Sequence, residues 1–107
     1  TEEQLASILE ESRERPVFLF KHSTACGVSA GAWGRFQSFA EEEDRPSFYR
    51  VLVIENRDLS QVIASQTGVS HQSPQVIMLV DSKAAWSASH REITENKLEE
   101  ELIRSGN

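Results

Sequence analysis

"VFLFKHSTACGVSAGAW", residues 17–33, joins an unbroken apolar run to a stretch of helical periodicity, with the only cysteine of the chain at the join. Val17, Phe18, Leu19 and Phe20 are apolar at both odd and even positions, the pattern of a strand covered on both faces. "KHSTA" (21–25) reads as a loop. From Cys26 to about Glu43 a helix is expected, because Trp33, Phe36, Phe39 and Ala40 recur at spacings of three and four. A buried strand that runs directly into a helix is the first half of a βαβ unit.

The flanking sequence completes the pattern. Upstream, Leu5, Ile8 and Leu9 mark one side of an amphipathic helix over 2–14, ended by Pro16. Downstream, "EEEDRP" breaks the helical period, and "FYRVLVI" (48–54) is rich in β-branched and aromatic residues, as strands are. Asn56 or Asp58 can cap a helix whose inner side carries Leu59, Val62 and Ile63, and Gly68 is placed to end it. "QVIMLV" (75–80) is a third buried strand, "DSKA" a turn, and "AAWSAS" a fourth strand at an edge. Thr94 can cap a last helix with Leu98, Leu102 and Ile103 inward. The element order α, β, α, β, α, β, β, α demands a parallel pair through a crossover helix and then an antiparallel hairpin. That is an α/β domain over residues 1–107, a four-stranded mixed sheet with helices on both faces.

Composition narrows the function classes. A net charge of −6 is the wrong sign for a nucleic-acid surface. No apolar run approaches the ~20 residues that a membrane-spanning helix needs. "TEEQLASILEESRERP" is acidic and amphipathic rather than an apolar signal core. With one cysteine there is no internal disulfide, and a reducing, cytoplasmic setting is expected.

Cys26 stands where first-turn backbone N–H groups lack intrahelical partners. Together with the positive end of the helix dipole they favour a thiolate over a thiol, which lowers the pKa and makes the sulfur a nucleophile at neutral pH. Ser29, one turn on, can donate a hydrogen bond to that thiolate, and Gly27 and Gly31 leave space beside it. The competing reading is a small buried hydrophobe, common for free cysteine. Pro74 directly precedes the third strand. A trans proline at a strand start accounts for it; in this topology a cis proline would turn the backbone of Ser73 outward, to pair with a substrate backbone as an added strand does.

The element order, with Cys at a strand–helix junction and Pro before the third strand, resembles the thioredoxin fold, with sheet order 2-1-3-4. More narrowly, "FKHSTACGVS", "ENRDLSQVIA", "GVSHQSPQV" and "WSASHREIT" resemble the monothiol bacilliredoxins, small thioredoxin-like proteins of the bacillithiol redox system. The four blocks, in order, cover nearly the whole chain. The resemblance implies that Cys26 is the nucleophile, and that it removes bacillithiol, or a similar low-molecular-weight thiol, from mixed disulfides on oxidised proteins. It implies no bound cofactor, only that thiol as co-substrate. The implied partners are thiolated cytosolic proteins, with a monomer at rest and a Cys26-linked dimer on oxidation. The family usually has Pro after the cysteine. Gly27 stands there in this chain, which leaves the helix start less rigid and restores a backbone N–H donor.

The topology also groups other polar residues at the cysteine end of the sheet. His22 follows the first strand, Arg57 the second and His90 the fourth, while His71 precedes the third. His22, with Thr24 and Ser29, is a candidate support for the thiolate. Arg57 and His90, with Ser73 and Pro74, are candidate substrate contacts, and Arg57 or the helix start near Thr94 can hold the carboxylates of a small thiol. A solvated surface charge is the plainer reading of Arg57, and loop residues bonding backbone the plainer reading of His71 and His90. No metal site is expected, since no CxxC or HxxxH pair supports one. A thioredoxin-like binding or redox-sensing module without turnover is the alternative function.

Overall fold

Four strands pair in the order β2-β1-β3-β4, from β1 (Val17–His22), β2 (Phe48–Leu52), β3 (Gln75–Val80) and β4 (Lys83–Ser89). Four helices cover them: α1 (Glu2–Glu11), α2 (Gly27–Ala40), α3 (Arg57–Thr67) and α4 (Glu95–Arg104). The computed structural model describes residues 2–22, 27–40, 48–52, 57–72 and 74–104. β1 pairs parallel with β2 and antiparallel with β3, and β3 pairs antiparallel with β4. The α/β thioredoxin-like architecture expected from the sequence is the one observed.

The two parities of β1 build two cores. Phe18 and Phe20 face α2, where they meet Ala32, Phe36 and Phe39 together with Val76, Met78 and Leu98. Val17 and Leu19 face the other way, against Leu5 of α1, Ile63 of α3, Val51, Ile77 and Leu79. The first core is aromatic, with Phe18 and Phe39 edge-to-face at 5.5 Å and Phe20 and Trp33 at 5.2 Å, geometries that suit the ring quadrupoles. α1 and α3 lie together on one face, and α2 and α4 on the other.

The β3–β4 turn is tight. Asp81 and Ser82 both take positive φ, 54° and 64°, as a two-residue hairpin loop matching strand twist requires. Its tip docks on the end of α1. The Asp81 N–H donates to the Ser12 carbonyl (2.7 Å), the Ser82 N–H to Ser12 Oγ (2.8 Å) and the Ser82 hydroxyl to the Leu9 carbonyl (2.9 Å). Two of these bonds end on carbonyls, of Leu9 and Ser12, at a helix end where carbonyls lack intrahelical partners. At the other end of the molecule Thr94 caps α4, its Oγ1 accepting from the Lys97 N–H at 3.2 Å, and Gly68, at φ 74°, ends α3.

Three boundaries and one facing differ from the sequence expectation. β4 starts at Lys83, inside the expected turn, and Ile103 of α4, expected inward, is 67% exposed. α1 stops at Glu11, with turns through Glu14. β1 continues past Phe20, so Lys21 and His22 are strand rather than loop. The cause is pairing on both sides: Lys21 aligns with Val51 of β2 and Gln75 of β3, and His22 with Leu52.

Candidate active site: the cysteine end of the sheet

β1 ends at His22 and α2 starts at Gly27, so in the chain Cys26 directly precedes the first helical residue. Cys26, Thr24 and Ser73 lie outside the described residues, as does the side chain of Ser29, whose backbone is in the first turn of α2. The described surroundings are contributed by the ends of three strands. His22 is buried, 7% exposed. Its ring lies 5.9 Å from that of Trp33 and 6.2 Å from that of Phe20, on the α2 face. Trp33 also receives the Arg50 guanidinium over its ring at 4.9 Å, a cation–π contact that ties β2 to α2.

Pro74 is buried immediately before β3. Because Gln75 pairs with Lys21, Pro74 comes to the His22 end of β1. The structure joins Pro74 to His90 directly: the His90 N–H donates to the Pro74 carbonyl at 3.1 Å. His90 adopts φ 54°, a left-handed conformation uncommon for a residue with a Cβ. It opens a single 3-10 turn, His90–Glu92, closed by the Ile93 N–H to the His90 carbonyl at 3.3 Å. Arg35 of α2 clamps this turn. Its Nε donates to the Ile93 carbonyl (2.7 Å) and an Nη to the His90 carbonyl (3.4 Å). His90 and Pro74 are therefore fixed to one another and to α2, and the His90 side chain is exposed. Arg57, exposed, is the first residue of α3.

The residues missed in the sequence are Lys21 and Gln75. They are cross-strand neighbours and share the parity of the α1/α3 face. Lys21 is fully buried and Gln75 is 3% exposed. The Lys21 ammonium lies 3.2 Å from Nδ1 of His71, and Gln75 Nε2 donates to the Ser70 carbonyl at 3.0 Å. Gln75 Oε1 is buried and has no hydrogen-bond partner among the described residues. Burial lowers the Lys21 pKa to about 8, and burial together with the neighbouring Lys21 charge lowers that of His71. A neutral His71 accepts at Nδ1 with its proton on Nε2, which matches the observed contact. The available signal was parity, since Lys21 stands in register with Val17 and Leu19 in a strand covered on both faces.

Among the described residues no group of three or more His, Cys, Asp or Glu is placed to hold a metal. None of the described helices is long and apolar enough to cross a membrane.

Comparison with known proteins agrees with this geometry. A solved thioredoxin-fold protein assigned as an oxidoreductase superposes with a TM-score of 0.83 at 35% identity, covering 94% of this chain and 87% of its own. Fasciola hepatica thioredoxin gives 0.74 at 21% identity, covering 96% and 92%, and spinach chloroplast thioredoxin F (long form) gives 0.77 at 17%, covering 100% and 84%. These last two are alike in fold. The family model for the monothiol bacilliredoxin BrxC matches residues 1–98. With a single cysteine in the chain, the family and the thioredoxin-fold oxidoreductase neighbour together support a thiol redox role. The chain belongs to the monothiol bacilliredoxin family.

Proposed function

We propose that the protein is a monothiol thiol–disulfide oxidoreductase that takes bacillithiol, or a similar low-molecular-weight thiol, from mixed disulfides on oxidised proteins. The observation that carries this reading is the place of the lone cysteine in the chain, directly before the first residue of α2 and just after β1, whose end lies by the bonded Pro74 and His90. The Cys26 thiolate attacks the sulfur of the small thiol in the mixed disulfide. A new disulfide forms between Cys26 and the small thiol as the old one breaks, and the protein sulfur leaves as a thiolate that takes a proton from water. The oxidised pair is thereby moved, not reduced. A second molecule of thiol, or a reductase, then releases the small thiol from Cys26, because Ser29 replaces the cysteine that would resolve it internally.

The α2 amides, with Ser29, Thr24 and His22, stabilise the thiolate in this proposal. The Ser73 and Pro74 backbone binds the substrate chain, and Arg57 and His90 meet the carboxylates of the small thiol. Cytoplasmic action on thiolated proteins belongs to the same proposal. The test is to incubate the reduced protein with a protein–bacillithiol mixed disulfide and follow both masses. The expected result is a stoichiometric small-thiol adduct on Cys26, with free thiol appearing on the substrate, and neither with Cys26→Ser. Absence of any adduct would leave a binding or sensing module without turnover.

A further inference from the structure

Lys21 is the one described residue that carries a formal charge at full burial. It has no carboxylate partner among the described residues; its described polar contact is His71. A buried ammonium held this way is expensive, and similar apolar side chains would fill its place at lower cost. Its neighbours show what it holds. Lys21 and Gln75 are paired across β1 and β3, and each reaches one residue of the same short segment between α3 and Pro74. Lys21 takes the His71 ring, and Gln75 takes the Ser70 carbonyl. Gly68 through Gln72 has no regular secondary structure, so its position depends on such tethers. From the opposite side Pro74 is held by the His90 N–H. The segment that leads the chain into Pro74 is thus fastened from behind by two buried polar side chains and in front by one backbone bond.

We infer that Lys21 is a positioning residue for substrate binding, acting through His71 to fix the segment that carries Ser73 and Pro74 to the cysteine end of the sheet. The inference rests on the reading above, in which that segment binds the backbone of a thiolated protein. It assigns Lys21 no contact with the sulfur. Lys21→Met keeps the length and removes the donor. His71→Ala removes the acceptor, and His71→Asn leaves an amide oxygen near the position of Nδ1.

The experiment has two readouts. In the free protein, amide hydrogen exchange and chemical shifts of Val69–Gln72 are compared across the three variants. In exchange assays, KM for a protein mixed disulfide is compared with the rate at which iodoacetamide alkylates Cys26 across pH. The expected result is faster amide exchange in Lys21→Met and His71→Ala and a roughly five- to tenfold rise in KM, the loss of one charge-assisted hydrogen bond acting at second hand. Recovery toward the parent values is expected in His71→Asn, with the alkylation profile unmoved throughout. An unchanged segment in Lys21→Met overturns the inference whether or not the protein turns over. A shifted alkylation profile overturns it too, by making Lys21 a support of the thiolate instead. If the segment loosens but the parent protein transfers no thiol, the positioning contact holds and the exchange reading is what fails.

Discussion

Lys21 carries a charge into the layer between the sheet and the α1/α3 helices, and the cost depends on pH. Its folded pKa is about 8 against an ordinary 10.5. Below pH 8 both folded and unfolded chains hold the proton, and the folded one pays for a buried ammonium. Between about 8 and 10.5 the unfolded chain binds more protons, so stability rises with pH through that window. The shift corresponds to roughly 3 kcal/mol at its limit. Urea unfolding at pH 7.5 and 10 is therefore expected to show a gain with pH that Lys21→Met lacks, and Lys21→Met is expected to be the more stable protein at pH 7.5. His90 is strained in a different way. At φ 54° a β-branched side chain is worse still, so His90→Val should lose about 1–2 kcal/mol while His90→Gly loses little or gains. Thermal melts of the two variants measure the difference.

At the scale of elements, the caps and the hairpin dock are separable. Thr94→Ala removes the oxygen that accepts from the Lys97 N–H and should cost about 1 kcal/mol. Ser12→Ala should cost more, about 1–3 kcal/mol, because Ser12 is 2% exposed and its loss leaves the Ser82 N–H without that acceptor. Denaturant midpoints with an unchanged slope check both. Each helix and strand was legible in the sequence because its apolar period was sustained: β1 through "VFLF", α2 through Trp33, Phe36 and Phe39, and β3 through "QVIMLV". What was not legible was the continuation of β1 into polar residues. Lys21 belongs to the strand because β2 and β3 both pair with it, and no local pattern announces a partner more than fifty positions away. The site was legible as a neighbourhood for the same topological reason. The contacts within it, His90 to Pro74 and Arg35 to the 3-10 turn, depend on backbone dihedrals and on α2 lying beside that turn, which spacing alone does not encode.

Across the whole molecule, one sheet separates two cores whose side chains alternate along the same strands. Neither core survives loss of the other, since β1 and β3 serve both. Tryptophan emission from Trp33 and Trp86, both packed against the α2/α4 core, should therefore lose its native signal at the same urea concentration as far-UV circular dichroism. Separate midpoints would show the two layers melting independently.

The dock of the hairpin tip on α1 bears on how the protein is made. Ser12 and Ser82 are 70 positions apart, so a growing chain offers the end of α1 several seconds before its hairpin donors exist. Until β3 and β4 leave the ribosome, Leu5, Ile8 and Leu9 have only part of their burial and the helix end has none of its hairpin donors. α1 is made before the hairpin it receives and is accordingly completed only after it. Ribosome-bound nascent chains that stop short of Ser82 would be the form of this protein that chaperones see.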